Sequence, residues 1–237
     1  MGQKIRPDSF RLGITKSWIS RWFFKGSYQP FLEADETIRR VIRREVNQSG
    51  IAEITIDRTT GGCRVTVRAA RPGIIIGRGG EGINRLRQQL NQALSKLKLP
   101  PSVSPPLNLD IEELKRNDVS AAHTAQQIAW DLEKRLRFRR VVKKYIDQAM
   151  HGRDVRGVKI KVAGRLDGAE IARREWFAKG TIPLQTLRVN IEYGEATAFT
   201  TFGTIGIKVW VNKGEVAFLS AAPAPRESKS ISERRIS

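Results

Sequence analysis

Two clusters in this chain carry the residue types that handle phosphate. The first is GIIIGRGGEGINRL, residues 73–86. Glycine lacks a Cβ, so it accepts positive φ and lets a ligand come close to the peptide. Gly77, Gly79 and Gly82 satisfy the dinucleotide pattern G-x-G-x-x-G, Gly77 and Gly82 have the outer spacing of a P-loop, and Gly77-Arg78-Gly79-Gly80 forms a G-x-x-G turn. The second cluster is Arg135, Arg137, Arg139, Arg140, Lys143 and Lys144, six cations in ten residues with no carboxylate between Glu133 and Asp147. Its chemistry is electrostatic attraction for a polyanion.

The neighbours decide among the glycine readings. A P-loop needs Lys and then Ser or Thr after its last Gly, to reach the terminal phosphates and bind the metal; here Ile83 and Asn84 follow. A dinucleotide site needs a buried strand running into the first Gly and an acid roughly 20 residues on. Arg71-Pro72-Gly73 leaves only Ile74, Ile75 and Ile76 for that strand, and Asp110 comes about 28 residues after Gly82. The G-x-x-G turn fits instead: a short helical turn over Ile74–Ile76 ends at Gly77, and a second helix starting near Gly80 offers unpaired N–H groups to a nucleic-acid backbone, with Arg78 adding charge. On this reading Gly82 is a coincidence of spacing. A flexible loop is the bland alternative, and the core patterns on both sides argue against it.

The cationic cluster sits on a helix with an apolar face, Phe138, Val141, Val142, Tyr145, Ile146 and Ala149, so Arg139, Arg140 and Lys143 share an exposed side. A solvated face would pair such charges with acids at i±4, and only Asp147 stands in reach, for Lys143. Polyanion binding is the better reading, and it should weaken steeply with salt. Composition agrees: 43 Lys and Arg against 24 Asp and Glu give a net charge of +19. Nucleic acid is the leading partner and an anionic membrane surface the second.

Other chemistries have little to stand on. One cysteine, Cys63, and two histidines, His123 and His151, offer no disulfide framework or usual zinc site. Cys63 and His123 read as core or near-core residues. No nucleophile with an adjacent base appears, so we expect no catalytic residue, metal or cofactor. No apolar run approaches the ~20 residues of a membrane span, and the N-terminus lacks a signal-like segment, so a cytoplasmic location without membrane is expected.

The elements that would position these clusters form an α+β chain of two domains. Residues 1–34 read as a basic and aromatic arm, in which Trp18, Trp22, Phe23 and Phe24 are protein anchors in preference to base-stacking residues. From Asp35, Ile38, Val41, Ile42 and Val46 mark a helix with Arg39, Arg40, Arg43 and Arg44 on its other faces, stopped by Gly50. IAEITID and CRVTVRA make a hairpin with Ile54, Ile56, Val65 and Val67 inward and Arg64 and Arg68 outward. A helix through Ile83, Leu86, Leu90, Ala93, Leu94 and Leu97, the loop LPPSVSPP and the strand LNLDIEEL follow. Residues 35–116 thus show the helix-strand-strand-helix-turn-helix-strand order of a type II KH domain, a three-stranded sheet packed by helices.

Residues 117–215 begin with two helical patterns, Val119/Ala122/Ala129/Leu132/Leu136 and the cationic helix. VRGVKIKVAG, LQTLRVNIEY, ATAFTTF and TIGIKVWV then predict a four-stranded sheet, with Asp167 and Glu170 as a capping box for a short helix. Trp176 and Trp210 read as packing residues. Residues 216–237, rich in Ala, Pro, Ser and Arg, are expected to be disordered.

MGQKIRP…FRLGITKSW, RPGIIIGRGGEGINRL and above all GRLDGAEIARREWFAKGTIPLQTLRVNIEYGEATAFTTFGTIGIKVWVNKGE resemble the bacterial form of the small-subunit ribosomal protein S-three family over residues 1 to about 215. The resemblance implies a non-enzymatic RNA-binding constituent of the small-subunit head, in a bacterium or an organelle of bacterial ancestry. Its partners would be ribosomal RNA, messenger RNA and neighbouring head proteins, without homo-oligomers. The family's basic positions at the messenger entrance, associated with unwinding, correspond to Arg139, Arg140 and Lys143, with Arg135 and Lys144 beside them. Gly77, Arg78, Gly79 and Gly80 form the KH turn, and Lys4, Arg6, Arg11, Arg64, Arg68 and Arg165 are further candidate RNA contacts. Gly79 stands where many relatives carry a second basic residue, and Arg6 where a His is common.

Overall fold

A computed structural model describes residues 4–22, 28–59, 62–97, 107–115 and 118–215. The expectations for Phe23 and Phe24, the hairpin turn at Thr60 and Gly61, the loop LPPSVSPP and the C-terminal tail lie outside them. The arm supplies a short helix α1 (Pro7–Phe10) and a strand β1 (Ser20–Trp22). Then come α2 (Gln29–Glu45), β2 (Ile51–Thr59), β3 (Gly62–Ala69), α3 (Pro72–Ile76), α4 (Glu81–Lys96) and β4 (Leu107–Glu113).

The first sheet has the order β1-β2-β3-β4, with β2 and β3 antiparallel and β4 parallel to β3. Its fourth strand, β1, was not expected: the arm lies parallel along β2, Ser20 opposite Ile56. Arg39 secures it from α2, donating to Ile54 O at 2.6 Å and Ser20 Oγ at 2.8 Å. The Trp22 ring stacks on Phe31 at 5.4 Å, with Tyr28 tilted against it at 5.2 Å, as an anchor does, whereas Trp18 is exposed and anchors nothing within the described residues. Ile54, Ile56, Val65 and Val67 are buried under Ile38 and Ile42 of α2 and Leu86 and Leu90 of α4. Each fully buried Ile or Leu contributes on the order of 1.5–3 kcal/mol. Cys63 belongs to this core, and burial raises its thiol pKa.

The second unit contains α5 (Ala121–Glu133), α6 (Phe138–Met150), β5 (Gly157–Gly164), β6 (Arg173–Gly180), β7 (Val189–Thr200) and β8 (Gly203–Glu215). Its antiparallel sheet runs β6-β5-β8-β7. Both helices cover one face, joining Ile128, Leu132, Phe138, Val142 and Ile146 to Val158, Ile160, Val162, Ile207 and Val209.

Three expectations change here. RVNIEY and ATAFTTF are one strand, β7, continuous through Gly194, where a Cβ would stand 2.3 Å from Ala121 O of α5. The fourth strand is RREWFAKG instead. Asp167 begins no α-helix; it takes φ 53° in a three-residue 3-10 turn, and its Oδ1 accepts from Phe138 N at 3.2 Å, capping the first turn of α6 from another part of the chain. Leu136 is exposed in the α5–α6 connection instead of lying on the α5 face.

The two units meet where Gly50, at φ 69°, leaves room for His123 of α5; a Cβ there would stand 2.4 Å from His123 Nδ1. Burial, and then the Arg71 charge, lowers the His123 pKa. A cavity of about 510 Å³ opens at this seam, lined by Asp118, His123, Tyr145 and His151 among others, and shares no lining residue with either phosphate-handling cluster.

Candidate nucleic-acid interface

The glycine turn joins α3 to α4. Gly77 has φ 69°, Gly79 61° and Gly80 83°, a conformation that L side chains resist. Open space surrounds the Cβ positions of Gly79 and Gly80, so their glycines answer to backbone conformation, not to crowding from within the chain. Arg78 projects from the same turn, exposed, and the 16-residue helix α4 starts at Gly80 with no side-chain cap. Glu81 N is bonded to Arg78 O, so what the turn offers an anion is the positive end of the α4 dipole beside Arg78. Gly82 is no coincidence of spacing: a Cβ there would lie 2.4 Å from Ile75 O, so α4 can begin this close to α3 only with glycine at that position.

On α6, burial of Phe138, Val141, Val142, Tyr145, Ile146 and Ala149 leaves Arg139, Arg140, Lys143 and Lys144 on the solvent side. Residues three and four apart on a helix are surface neighbours. The acids missing from the local sequence arrive from elsewhere for two of these cations. Glu175 of β6 accepts from Arg139 Nη2 at 3.3 Å and Nε at 3.4 Å, and Asp131 of α5 lies 3.8 Å from Lys144 Nζ. Asp147, the one nearby acid on α6, is bonded by Lys179 at 2.8 Å, which lowers its pKa. Arg140 and Lys143 form no ion pair among the described residues. They are the least compensated of the four α6 cations, with Asp147 acting on Lys143 only from beyond ion-pair distance.

One residue missed by sequence, Arg173, and one expected, Arg135, complete this site. Arg173, on β6, lies 3.2 Å from Glu175 and 5.8 Å from the Phe138 ring, so it stands beside Arg139 across a shared carboxylate. No local signal singles it out, because RREWFAKG lacks a regular apolar alternation. Arg135 is held in the left-handed region at φ 62°. There it closes α5: Arg135 N donates to Leu132 O at 2.9 Å and Leu136 N to Asp131 O at 3.2 Å, the double bond pattern that ends many helices at a glycine. An Arg at this position costs roughly 1 kcal/mol of backbone strain. Arg135→Gly is therefore expected to stabilise the chain by up to about 1 kcal/mol while lowering the salt slope of RNA binding by roughly 0.7; thermal melts and salt titrations of both proteins check this.

The remaining candidates separate. Arg11 is wholly buried, and its guanidinium donates to four carbonyls, Val189 at 2.7 Å, Thr186 at 2.8 Å, Leu184 at 3.1 Å and Pro7 at 3.1 Å. It clamps the arm to the C-terminal unit and cannot touch RNA. Burial lowers its pKa, against the attraction of Asp8.

Arg68 lies 3.8 Å from Glu53, 3.6 Å from Glu112 and 3.3 Å from Asp118. Asp118 and Glu192 in turn each bind Lys213 at 2.6 Å. Burial works against that ammonium, and the two carboxylates more than offset it, raising its pKa. Arg68 is thus an ionic pin at the seam instead of an outward cation. Arg165 donates to Ala169 O at 2.9 Å and Phe202 O at 3.3 Å, bracing two loops. Arg64 keeps an exposed side chain 3.4 Å from Asp110, Arg6 lies 3.7 Å from Glu195 and over the Tyr193 ring, and Lys4 is exposed.

Comparison with known proteins matches both units. A KH domain family model matches residues 37–119, the unit holding the glycine turn, and the model described as ribosomal protein S3, C-terminal domain, matches residues 128–211, the unit holding α6. Among similar proteins, the small ribosomal subunit protein uS3 of a Nitratiruptor species is 46% identical over 228 residues, 96% of this chain and 95% of that protein. That of Syntrophomonas wolfei is 42% identical over 97% of this chain and 96% of its own length, and that of a Synechococcus species 46% over 91% and 86%. With both family models in chain order and identity above 40% along nearly the whole length, the chain belongs to the small ribosomal subunit protein uS3 family.

Proposed function

We propose that this protein is a structural, non-enzymatic constituent of the small ribosomal subunit, binding ribosomal RNA in the subunit head and lining the entrance for messenger RNA. The observation that carries this reading is the pair Arg140 and Lys143, cations without an ion pair among the described residues, on a helix whose opposite face is locked into the C-terminal core. Cations on a fixed frame can hold the phosphates of one strand without first ordering themselves, which makes reannealing of a messenger hairpin less favourable. Neighbouring head proteins are the expected protein contacts.

The KH turn is the second RNA contact on this reading. Gly79 leaves Arg78 as its single cation, so close approach to the glycine backbone and the α4 dipole carry more of the binding there. Arg78→Asp with Gly79→Asp places two carboxylates against that helix terminus and against phosphate. Crosslinking of the turn to ribosomal RNA in gradient-purified small subunits is expected to fall several-fold, with the melting temperature of the free protein lowered only by the strain of Asp at positive φ, on the order of 1 kcal/mol. Undiminished crosslinking would leave the turn idle, and absence of the wild-type chain from small subunits would overturn the ribosomal reading itself.

A further inference from the structure

The helices cover one face of the C-terminal sheet, and the register defines what stands on the other. Val158, Ile160 and Val162 point under α5 and α6, so Lys159 and Lys161 of β5 point away. Across the sheet Lys159 lies opposite Trp210 of β8, and Lys161 lies between Trp176 of β6 and Lys208 of β8. Arg174 follows on the same face of β6, opposite Ala163. Trp176, read from sequence as a packing residue, is 63% exposed. Lys159 Nζ sits 4.8 Å from the Trp176 ring centre and 5.8 Å from that of Trp210, whose ring leans on Tyr193 at 5.5 Å.

Charge on this face is one-sided. Lys159, Lys161, Lys208 and Arg174 meet one described carboxylate, Glu195, which sits opposite Lys208. Glu195 is already engaged: it accepts from Tyr193 Oη at 2.9 Å and lies 3.7 Å from Arg6. The arm therefore covers the β7 side and leaves β6, β5 and β8 open. A solvated sheet face balances its charges across strands and has no use for an indole two-thirds in water. An aromatic ring set among cations is the arrangement that stacks a base and holds the adjoining phosphates.

We infer that this open face is a second RNA surface, on which Trp176 stacks an unpaired base while Lys159, Lys161 and Lys208 hold the flanking phosphates. It rests on the reading of the chain as an RNA-bound protein. Because α6 packs on the opposite face of the same sheet, the two surfaces serve different RNA segments, and the C-terminal unit is held between them.

The test uses the full chain and a fluorescent single-stranded RNA of about 12 nucleotides, within the span that such surfaces cover. Four variants are compared with wild type: K159A/K161A/K208A, R139A/R140A/K143A, and Trp176→Ala with Trp176→Phe as its conservative partner, each checked for an unchanged melting temperature. The sheet triple variant is expected to bind at least tenfold more weakly, with a salt slope lower by roughly 2, and to add its loss to that of the helix triple variant. Trp176→Ala is expected to lose about tenfold and Trp176→Phe much less. Unchanged affinity and slope in the sheet variant, with loss in the helix variant, would refute the second surface and leave the proposed function standing. No loss in either variant would overturn both. Normal RNA binding by the sheet variant with failure to join small subunits would make the face a protein-docking surface and overturn its assignment to RNA.

Discussion

Changing Arg139, Arg140 and Lys143 together to Ala is expected to slow translation through a messenger hairpin several-fold while leaving unstructured messages and subunit assembly unaffected. The three side chains occupy neighbouring positions on the solvent face of α6, and none belongs to the core that holds the helix in place. Removing them costs no packing. What is lost is the grip on one strand: hydrogen bonds to charged groups are worth about 1.5–3 kcal/mol each, and a stacked base-pair step on the order of 1.4 kcal/mol, taken from DNA. Each held phosphate can therefore offset about one base pair of reclosure, so the delay should grow with the stability of the first two or three pairs of the hairpin. Ribosome pausing on a graded hairpin series measures it. Arg139 is expected to contribute least of the three, because Glu175 competes for its guanidinium.

Arg11→Ala is expected to destabilise the protein by about 3 kcal/mol and to leave RNA binding by the folded chain intact. The side chain is buried and donates to carbonyls of the arm and of residues 173 to 178 positions downstream. Truncation leaves several buried carbonyls without a donor, and each such loss costs roughly 1–3 kcal/mol. For a chain of this size 3 kcal/mol lowers the melting temperature by about 6–12 °C. Arg11→Lys recovers little, because one ammonium cannot reach carbonyls on opposite sides of a planar fork. A variant that melts like wild type and binds RNA more weakly would return Arg11 to the RNA surface.

These two arginine sites mark what the sequence can and cannot disclose. The KH unit is legible because each of its levels agrees: alternation in β2 and β3, helical spacing in α2 and α4, and glycines where φ is positive. The cationic face of α6 is legible for the same reason, since its apolar stripe fixes which side is left to the charges. Arg11 and Arg68 look from sequence like any exposed cation, and their partners lie on distant segments. Glu175 and Asp131, which compensate Arg139 and Lys144, are equally remote.

Strand β6 escapes an alternation search for a different reason. It is an edge strand, and the face it turns toward α6 carries Arg173, Glu175 and Lys179 around Phe177, so apolar and polar residues do not alternate. The Asp167 and Glu170 pair has the spacing of a capping box, yet the donor that Asp167 satisfies is Phe138 N, 29 residues earlier. A local motif reveals that a side chain can cap. It does not say which helix.

On the function proposed for this protein, α6 faces incoming messenger RNA inside the small subunit. The most direct measurement replaces Arg140 with a photo-crosslinking amino acid and irradiates assembled small subunits carrying a defined message. Crosslinks are expected from position 140 to message nucleotides downstream of the decoded codon, weakened when Lys143 is also changed to Ala. Crosslinks confined to ribosomal RNA or to protein would contradict that function.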